Sequence, residues 1–297
     1  MTGPERGYLL LCADLADGRK PLTLAQLRSL RRLVQQSEPD RSDSDRPITA
    51  GDLRRAGLSA AAARRVLDLL EREDALAAYL KTAALFDIYP LTCISPGYPR
   101  RLVSRLGQDA PAVLFLRGNA ALLRKPAVSL TGSRVLDAAA AAFARRVGAL
   151  AASEGKVLVS GNAQGADRTA QTACLEAGGE VIAVVPGELE NCVPASDREL
   201  YVCEAGWHIP FAPYRALERN RLIYALALHA LIARTNTDGG TFSGASDALR
   251  RGNCRVSVRD DGSPGSRALI ARGACPVREL ETLEPPPETQ LPLSPRP

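Results

Sequence analysis

The chain is poor in the residues that build most catalytic and metal centres. Among its 297 residues are two histidines, His208 and His229, with one tryptophan, one methionine and four lysines. Two histidines exclude a multi-histidine metal site. The seven cysteines are scattered from Cys12 to Cys275 without a CxxC pair, so a zinc spacing is missing too. Their odd number and scatter fit reduced thiols in a cytoplasm. Long apolar runs are absent: the N-terminal YLLLCA stretch falls far below the roughly 18 apolar residues of a membrane helix, and no basic region precedes it as in a signal peptide. Neither GxGxxG nor GxxxxGKS/T occurs, which removes the fingerprints of ordinary dinucleotide binding and P-loop hydrolysis. A Ser-His-Asp triad would need one of the two histidines. His229 sits in the apolar run LALHALIAR and reads as core, and His208 in GWHIP has no nucleophile motif beside it.

What is abundant is arginine. Of 38 basic residues 34 are arginine, against 33 acids, giving a net charge of +5. This mild excess permits a nucleic-acid partner without requiring one, although guanidinium grips phosphate in a bidentate fork as ammonium does not. The excess is uneven: residues 1–125 carry +6, residues 126–280 +1 and the remainder −2.

Residues 1–85 read as a small helical domain. Leu22, Leu24, Leu27, Leu30 and Leu33 recur at helical spacing and give way to the polar run SEPDRSDSDRP. Thr49 with Asp52 three residues on signals a second start. Two further helices flank a break at Ala56-Gly57-Leu58-Ser59. Short helices joined by a glycine turn resemble a sterile-alpha-motif or helix-hairpin-helix module, and equally a generic helical bundle.

From Phe86 the period changes. YPLTCI, AVLFLRG, AVSLTGS, KVLVSGN, EVIAVVPG, HALIART and CRVSV are apolar runs of strand length, and helical stretches over 137–154, 164–177, 215–227 and 244–252 separate many of them. Alternation of this kind predicts a Rossmann-like, doubly wound, mostly parallel α/β sheet over residues 86–280. The Pro-rich residues 281–297 predict a disordered tail that does not pack.

In such sheets ligands bind beyond the carboxyl ends of the strands. After AVSLT come Gly132, Ser133 and Arg134: a glycine that admits an anion to the backbone, a hydroxyl and a charge. After KVLV come Ser160, Gly161, Gln164, Gly165 and Asp167, a turn into a helix N-terminus. Asp167 reads either as a cap of that helix or as a ligand contact. Arg219, Asn220 and Arg221 in ERNR offer charge from another loop, and Gly240 with Thr241 closes the group after LIART. Trp207 could stack a base but reads better as core.

The ordered segments PGYPRRL, DAPAVLFLRGN, AVSLTGSR, LVSGNAQGADRTAQTACLEAGGEVIAVVPG, ERNRLIYALA, GGTFSGASDALRRG and SPGSRALIARGA resemble the DNA-processing protein A (DprA, Smf) family over about 190 residues. The resemblance implies a cytoplasmic bacterial protein that binds single-stranded DNA, protects incoming strands in natural transformation, loads a RecA-type recombinase and forms a homodimer through its Rossmann-like domain. It implies no enzyme, no cofactor and no membrane. The thirteen loop residues named above would then be contacts to the DNA backbone. The chain departs from the family pattern at Ala166, at Gln171 where a histidine is usual, at Ile209-Pro210-Phe211 where a Ser-Glu pair is common, and at Gly239–Ala245, where a Thr-Ala pair is lost. The Pro-rich residues stand where many members carry a C-terminal winged helix, so none is expected from this sequence. Two alternatives stay open beside this reading. One is a nucleotide-binding sensor. The other is a lysine-decarboxylase-like nucleoside monophosphate phosphoribohydrolase, whose catalytic Glu is missing from the stretch Asp238–Ala245, so Asp167 or Asp238 would have to stand in.

Overall fold

The computed structural model describes residues 1–37, 48–252 and 254–284. All of the polar run after Ser37, and residues 285–297 of the expected tail, lie outside the described residues. In chain order the elements are α1 (Gly3–Cys12), α2 (Leu24–Ser37), α3 (Ala50–Arg55), α4 (Ala60–Leu70), α5 (Glu73–Ala84), β1 (Ile88–Thr92), α6 (Arg100–Leu106), β2 (Val113–Gly118), β3 (Ala127–Thr131), α7 (Ala138–Ser153), β4 (Val157–Ser160), α8 (Ala166–Glu176), β5 (Val181–Val184), β6 (Glu199–Cys203), α9 (Pro213–Leu226), β7 (His229–Ile232), α10 (Gly240–Arg251), β8 (Arg255–Arg259), α11 (Pro264–Ala271) and β9 (Cys275–Val277). No helix among the described residues is long and apolar enough to cross a membrane.

These elements form two units whose boundaries differ from the expected 85/86 division. Unit 1 takes residues 1–124 and 185–219, and unit 2 takes residues 125–184 and 220–297, so the division falls inside α9. The physical reason lies in β1, β2 and β6. They pair antiparallel, with Pro90 opposite Phe115 and Phe115 opposite Cys203, and they build their core with the N-terminal helices rather than with the parallel strands. Leu9, Leu76, Tyr79, Phe115, Cys203 and Trp207 share that core, which places Trp207 inside as expected.

Local signals start the helices of unit 1. The Thr49 hydroxyl accepts from the Asp52 N–H at 3.2 Å, and the Asp52 carboxylate accepts from the Thr49 N–H at 2.8 Å, a full capping box at the expected place. Ser59, at the expected break, caps α4 by accepting from Ala62 N–H. A box at Thr2 and Glu5 starts α1 in the same way, over the apolar run read from the sequence. Arg72, whose side chain is wholly buried, donates to the carbonyls of Leu69, Arg19, Ala13 and Leu10 and pairs with Asp17 at 3.2 Å.

Unit 2 holds six parallel strands in the spatial order β5-β4-β3-β7-β8-β9. Counted along the chain within the unit this is 3-2-1-4-5-6, the Rossmann order. Alternation along β7 shows both faces covered. Leu231 and Ala233 pack with Val147, Leu150 and Ala170 of α7 and α8. Ala230 and Ile232 pack with Phe242, Ala245 and Leu269 of α10 and α11. The doubly wound, mostly parallel fold is therefore as read; β1 and β2 were among the expected strand runs, their antiparallel direction was not read, and β6 and β9 were not foreseen.

The tail expectation is corrected for its first four residues. Leu283 is fully buried in the α7–α8 core, and its N–H donates to Glu154 Oε1 at 2.8 Å. Its carbonyl meets Nδ1 of the buried His229 at 3.1 Å, while His229 Nε2 lies 2.7 Å from Ser257 Oγ. His229 is thus the core residue anticipated. Burial of this one apolar side chain in the core holds the start of the segment in place despite the Pro-rich composition that follows.

Candidate functional site

In the 3-2-1-4-5-6 order the crevice opens where the winding reverses, between β3 and β7. The loops after these strands are stitched together. Ser133 N–H donates to the Arg234 carbonyl at 2.9 Å, and Thr241 Oγ1 donates to the Gly132 carbonyl at 3.1 Å. Asn220 Nδ2 donates to the Gly240 carbonyl at 3.3 Å, and the Thr131 and Tyr224 hydroxyls lie 3.0 Å apart. The loop after β4 joins through Ala166 N–H, which donates to the Ser133 carbonyl at 3.1 Å. Segments from four places in the sequence thus form one connected cluster in unit 2.

Glycine is required at two of these positions. Gly165 has φ +87°, and a Cβ there would sit 2.5 Å from the carbonyl oxygens of Ser133 and Arg134. A Cβ on Gly132 would lie 2.6 Å from that of Ala166, so the first and second loops approach too closely for any larger residue.

The structure sorts the predicted residues by what they do. Asp167 is buried, and its Oδ2 accepts from Gly161 N–H at 2.9 Å and Ala163 N–H at 3.3 Å. Of the two readings for Asp167 neither was quite this one: it braces the loop from the first turn of α8. The Gly161 N–H, expected to face a phosphate, is turned inward by that bond. Ser160 is fully buried and its hydroxyl accepts from Gln171 Nε2 at 2.6 Å, so the Gln171 departure is matched by an internal partner. The Ser133 hydroxyl accepts from Val135 N–H at 3.1 Å and shapes its own turn. Arg219 was expected to supply a fork of positive charge from a loop; it lies within α9, is only 6% exposed and belongs to unit 1. Apolar packing of the RNRLIY segment draws it in, since Leu222, Ile223 and Tyr224 bury completely or nearly so.

Arg134 and Gln164 are exposed, and Asn220, Arg221, Gly240 and Thr241 are half-buried. Arg134 has no carboxylate partner among the described residues. By contrast Arg234 pairs with Asp137 at 2.6 Å and Arg259 with Asp261 at 2.9 Å. Against the upward push of burial, hydrogen bonds from Ser263 and the charge of Arg259 hold Asp261 below the usual carboxylate range. Sequence reasoning missed Tyr224, although it lies within the RNRLIYALA segment, and missed the carbonyls of Arg234 and Gly132 because backbone acceptors leave no residue signature. Among the described residues no group of three His, Cys, Asp or Glu is placed to hold a metal.

A six-stranded parallel sheet covered on both faces, with tight loops gathered at its switch point, defines a Rossmann-like α/β protein. The comparisons with known proteins narrow this. The chain belongs to the DNA recombination-mediator protein A family, whose model matches residues 90–284. It is 31% identical over 180 residues to the DNA processing protein DprA of Streptococcus pneumoniae, a match covering 56% of this chain and 63% of that protein. The crystal structure of DprA from the same organism superposes with a TM-score of 0.66 at 25% identity, covering 86% of this chain and 95% of the other. A structure of DprA from Helicobacter pylori, described for its single-stranded DNA binding mode, gives 0.56 at 24% identity over 66% and 93% of the two chains.

Proposed function

We propose that the chain binds single-stranded DNA through the carboxyl-end loops of unit 2, centred on Arg134. The observation that carries this reading is the stitched cluster at the switch point, which holds glycine turns rigid and leaves the exposed Arg134 guanidinium without an acidic partner among the described residues. Gln164, Arg221, Gly240 and Thr241 flank it as further backbone contacts. Asp167, Ser160, Gly161, Asn220 and the Ser133 hydroxyl hold the loops in place. Contacts of this kind position a sugar-phosphate chain without reading its sequence. Family membership and the DNA-binding relative from Helicobacter pylori support the choice of ligand. In this reading the bound strand is protected and passed to a RecA-type recombinase during transformation or recombination, with the protein acting as a cytoplasmic homodimer and as a binder rather than an enzyme.

Gel shifts with single- and double-stranded probes over a salt series test it. The single strand binds preferentially and affinity falls steeply with salt. Arg134→Ala weakens binding about tenfold across sequences and lowers the salt slope by roughly 0.7, the share of one phosphate contact on a single strand. An unshifted single-stranded probe at low salt sinks the proposal, and release of free base from nucleoside monophosphates moves the protein to the enzyme class. RecA filament assembly and light scattering read the recombinase and dimer parts separately.

A further inference from the structure

Unit 1 contains a cavity of about 320 Å³ between α2, the turn after β1 and α6, and none of its lining residues belongs to the DNA-binding cluster. Three arginines are among its lining residues, Arg28, Arg31 and Arg32. Arg28 is committed: its Nε donates to the Gln108 carbonyl and its Nη2 pairs with Asp109, so the acid beside the cavity is already neutralised. Arg31 lies 5.8 Å from the centroid of the Tyr8 ring, a cation–π contact that helps to hold it in position. Neither Arg31 nor Arg32 has a carboxylate partner among the described residues. Beside them Ile94 and Val103, 42% and 46% exposed, give the cavity an apolar wall. Cys93 adds no negative charge there, because burial pushes its thiol up even with Arg31 pulling the other way.

Two guanidiniums without a carboxylate partner among the described residues, next to an exposed apolar wall, call for a ligand with an anionic end and a flat or apolar body. Guanidinium serves both halves, since it forks onto phosphate and stacks on aromatic faces. The volume is at the small end of ligand sites, about 300–1,000 Å³, and sets the scale at one small molecule rather than a macromolecular surface. We propose that this cavity binds a nucleoside phosphate, with the base against Ile94 and Val103 and the phosphate between Arg31 and Arg32. A free mononucleotide and the phosphorylated end of a DNA strand present the same chemistry, so the test separates them.

The test is calorimetric titration of the full chain with deoxyadenosine monophosphate, deoxyadenosine and inorganic phosphate. The monophosphate binds more tightly than either half alone. The double variant Arg31→Gln/Arg32→Gln weakens it roughly tenfold to a hundredfold, the range for loss of charge-assisted bonds to phosphate. Val103→Trp, which fills the cavity and keeps the arginines, abolishes binding, and thermal melting checks that both variants are folded. Arg134→Ala serves as the background that removes the phosphate contact of unit 2 from the titration. On that background a 5′-phosphorylated dinucleotide that binds as tightly as the monophosphate identifies a strand end as the ligand, whereas binding of the monophosphate alone identifies a free nucleotide. No binding at millimolar monophosphate, or binding that survives both cavity variants, overturns the proposal.

Discussion

The two units handle buried polarity in opposite ways. In unit 1 a charged side chain lies at the centre: Arg72, fully buried, gathers carbonyls from four residues and one carboxylate. In unit 2 the buried polar side chains are mostly neutral, as with Ser129, Thr131, Ser160, Gln171, His229 and Ser257, and Asp167 is tied to backbone N–H groups. The parallel sheet satisfies its own backbone and needs only hydroxyls and amides at the strand ends. The irregular N-terminal turns of unit 1 leave carbonyls that no ladder reaches, and one guanidinium with five donors meets them. The charges also divide more evenly than the linear count suggested. Unit 1 holds 22 basic and 20 acidic residues and unit 2 holds 16 and 13. The basicity that seemed to belong to the N-terminal region is offset by acids between residues 185 and 219, which fold with it.

This contrast can be broken most forcefully at Arg72. Arg72→Met leaves its carbonyl partners and Asp17 unmatched, and loss of one member of a buried pair costs about 3–5 kcal/mol. Hydrogen exchange should show the largest loss of protection in α1 and α5; equal loss in β4 and α8 would mean that the stabilisation of unit 1 is not local to this residue. Next comes Leu283→Ala, which empties a fully buried site in unit 2 at about 2–5 kcal/mol, read by denaturant unfolding. A cost near zero would return Leu283 to the tail. The smallest effect is a change of slope with pH. Burial holds the His229 pKa below its ordinary value of about 6.5 despite the bond to the Leu283 carbonyl. The unfolded chain therefore binds this proton more readily than the folded one, and stability falls as pH drops below about 6.5. Glu154 acts in the same direction at lower pH: against the push of burial, Lys156 and the Leu283 N–H hold its carboxyl down. His229→Asn should flatten the melting temperature between neutral and mildly acid pH, and an unchanged slope would remove His229 as the cause.

Much of unit 2 was legible because its signals are local. Apolar runs ending in Gly, Ser or Thr mark β3, β4, β5 and β7, and strand–turn–helix order places the loops at one end of the sheet. Strand direction is not written locally, so β1 and β2 were grouped with the parallel strands and β6 was not read as a strand. Arg72 sits in the run EREDAL, where it looks like any solvated charge, and Leu283 was averaged away among prolines. Within the site, residue type pointed to the right loops but not to the division of labour. Asp167 and Asn220 brace, Arg219 is buried and Arg134 is exposed, and each outcome depends on neighbours distant in sequence.

The central place of β3 has a consequence for synthesis. Its partner β4 follows within 30 residues, but β7, which pairs along its other edge, begins only at His229, after the whole 185–219 excursion into unit 1. A growing chain therefore carries β3 with one edge unpaired for about a hundred residues, several seconds or more at ordinary translation rates of about 5–20 residues per second. An open edge of Val, Ser and Leu is the kind that recruits other strands, and in this topology the nascent protein is exposed to mispairing at the very strand on which its switch-point loops depend.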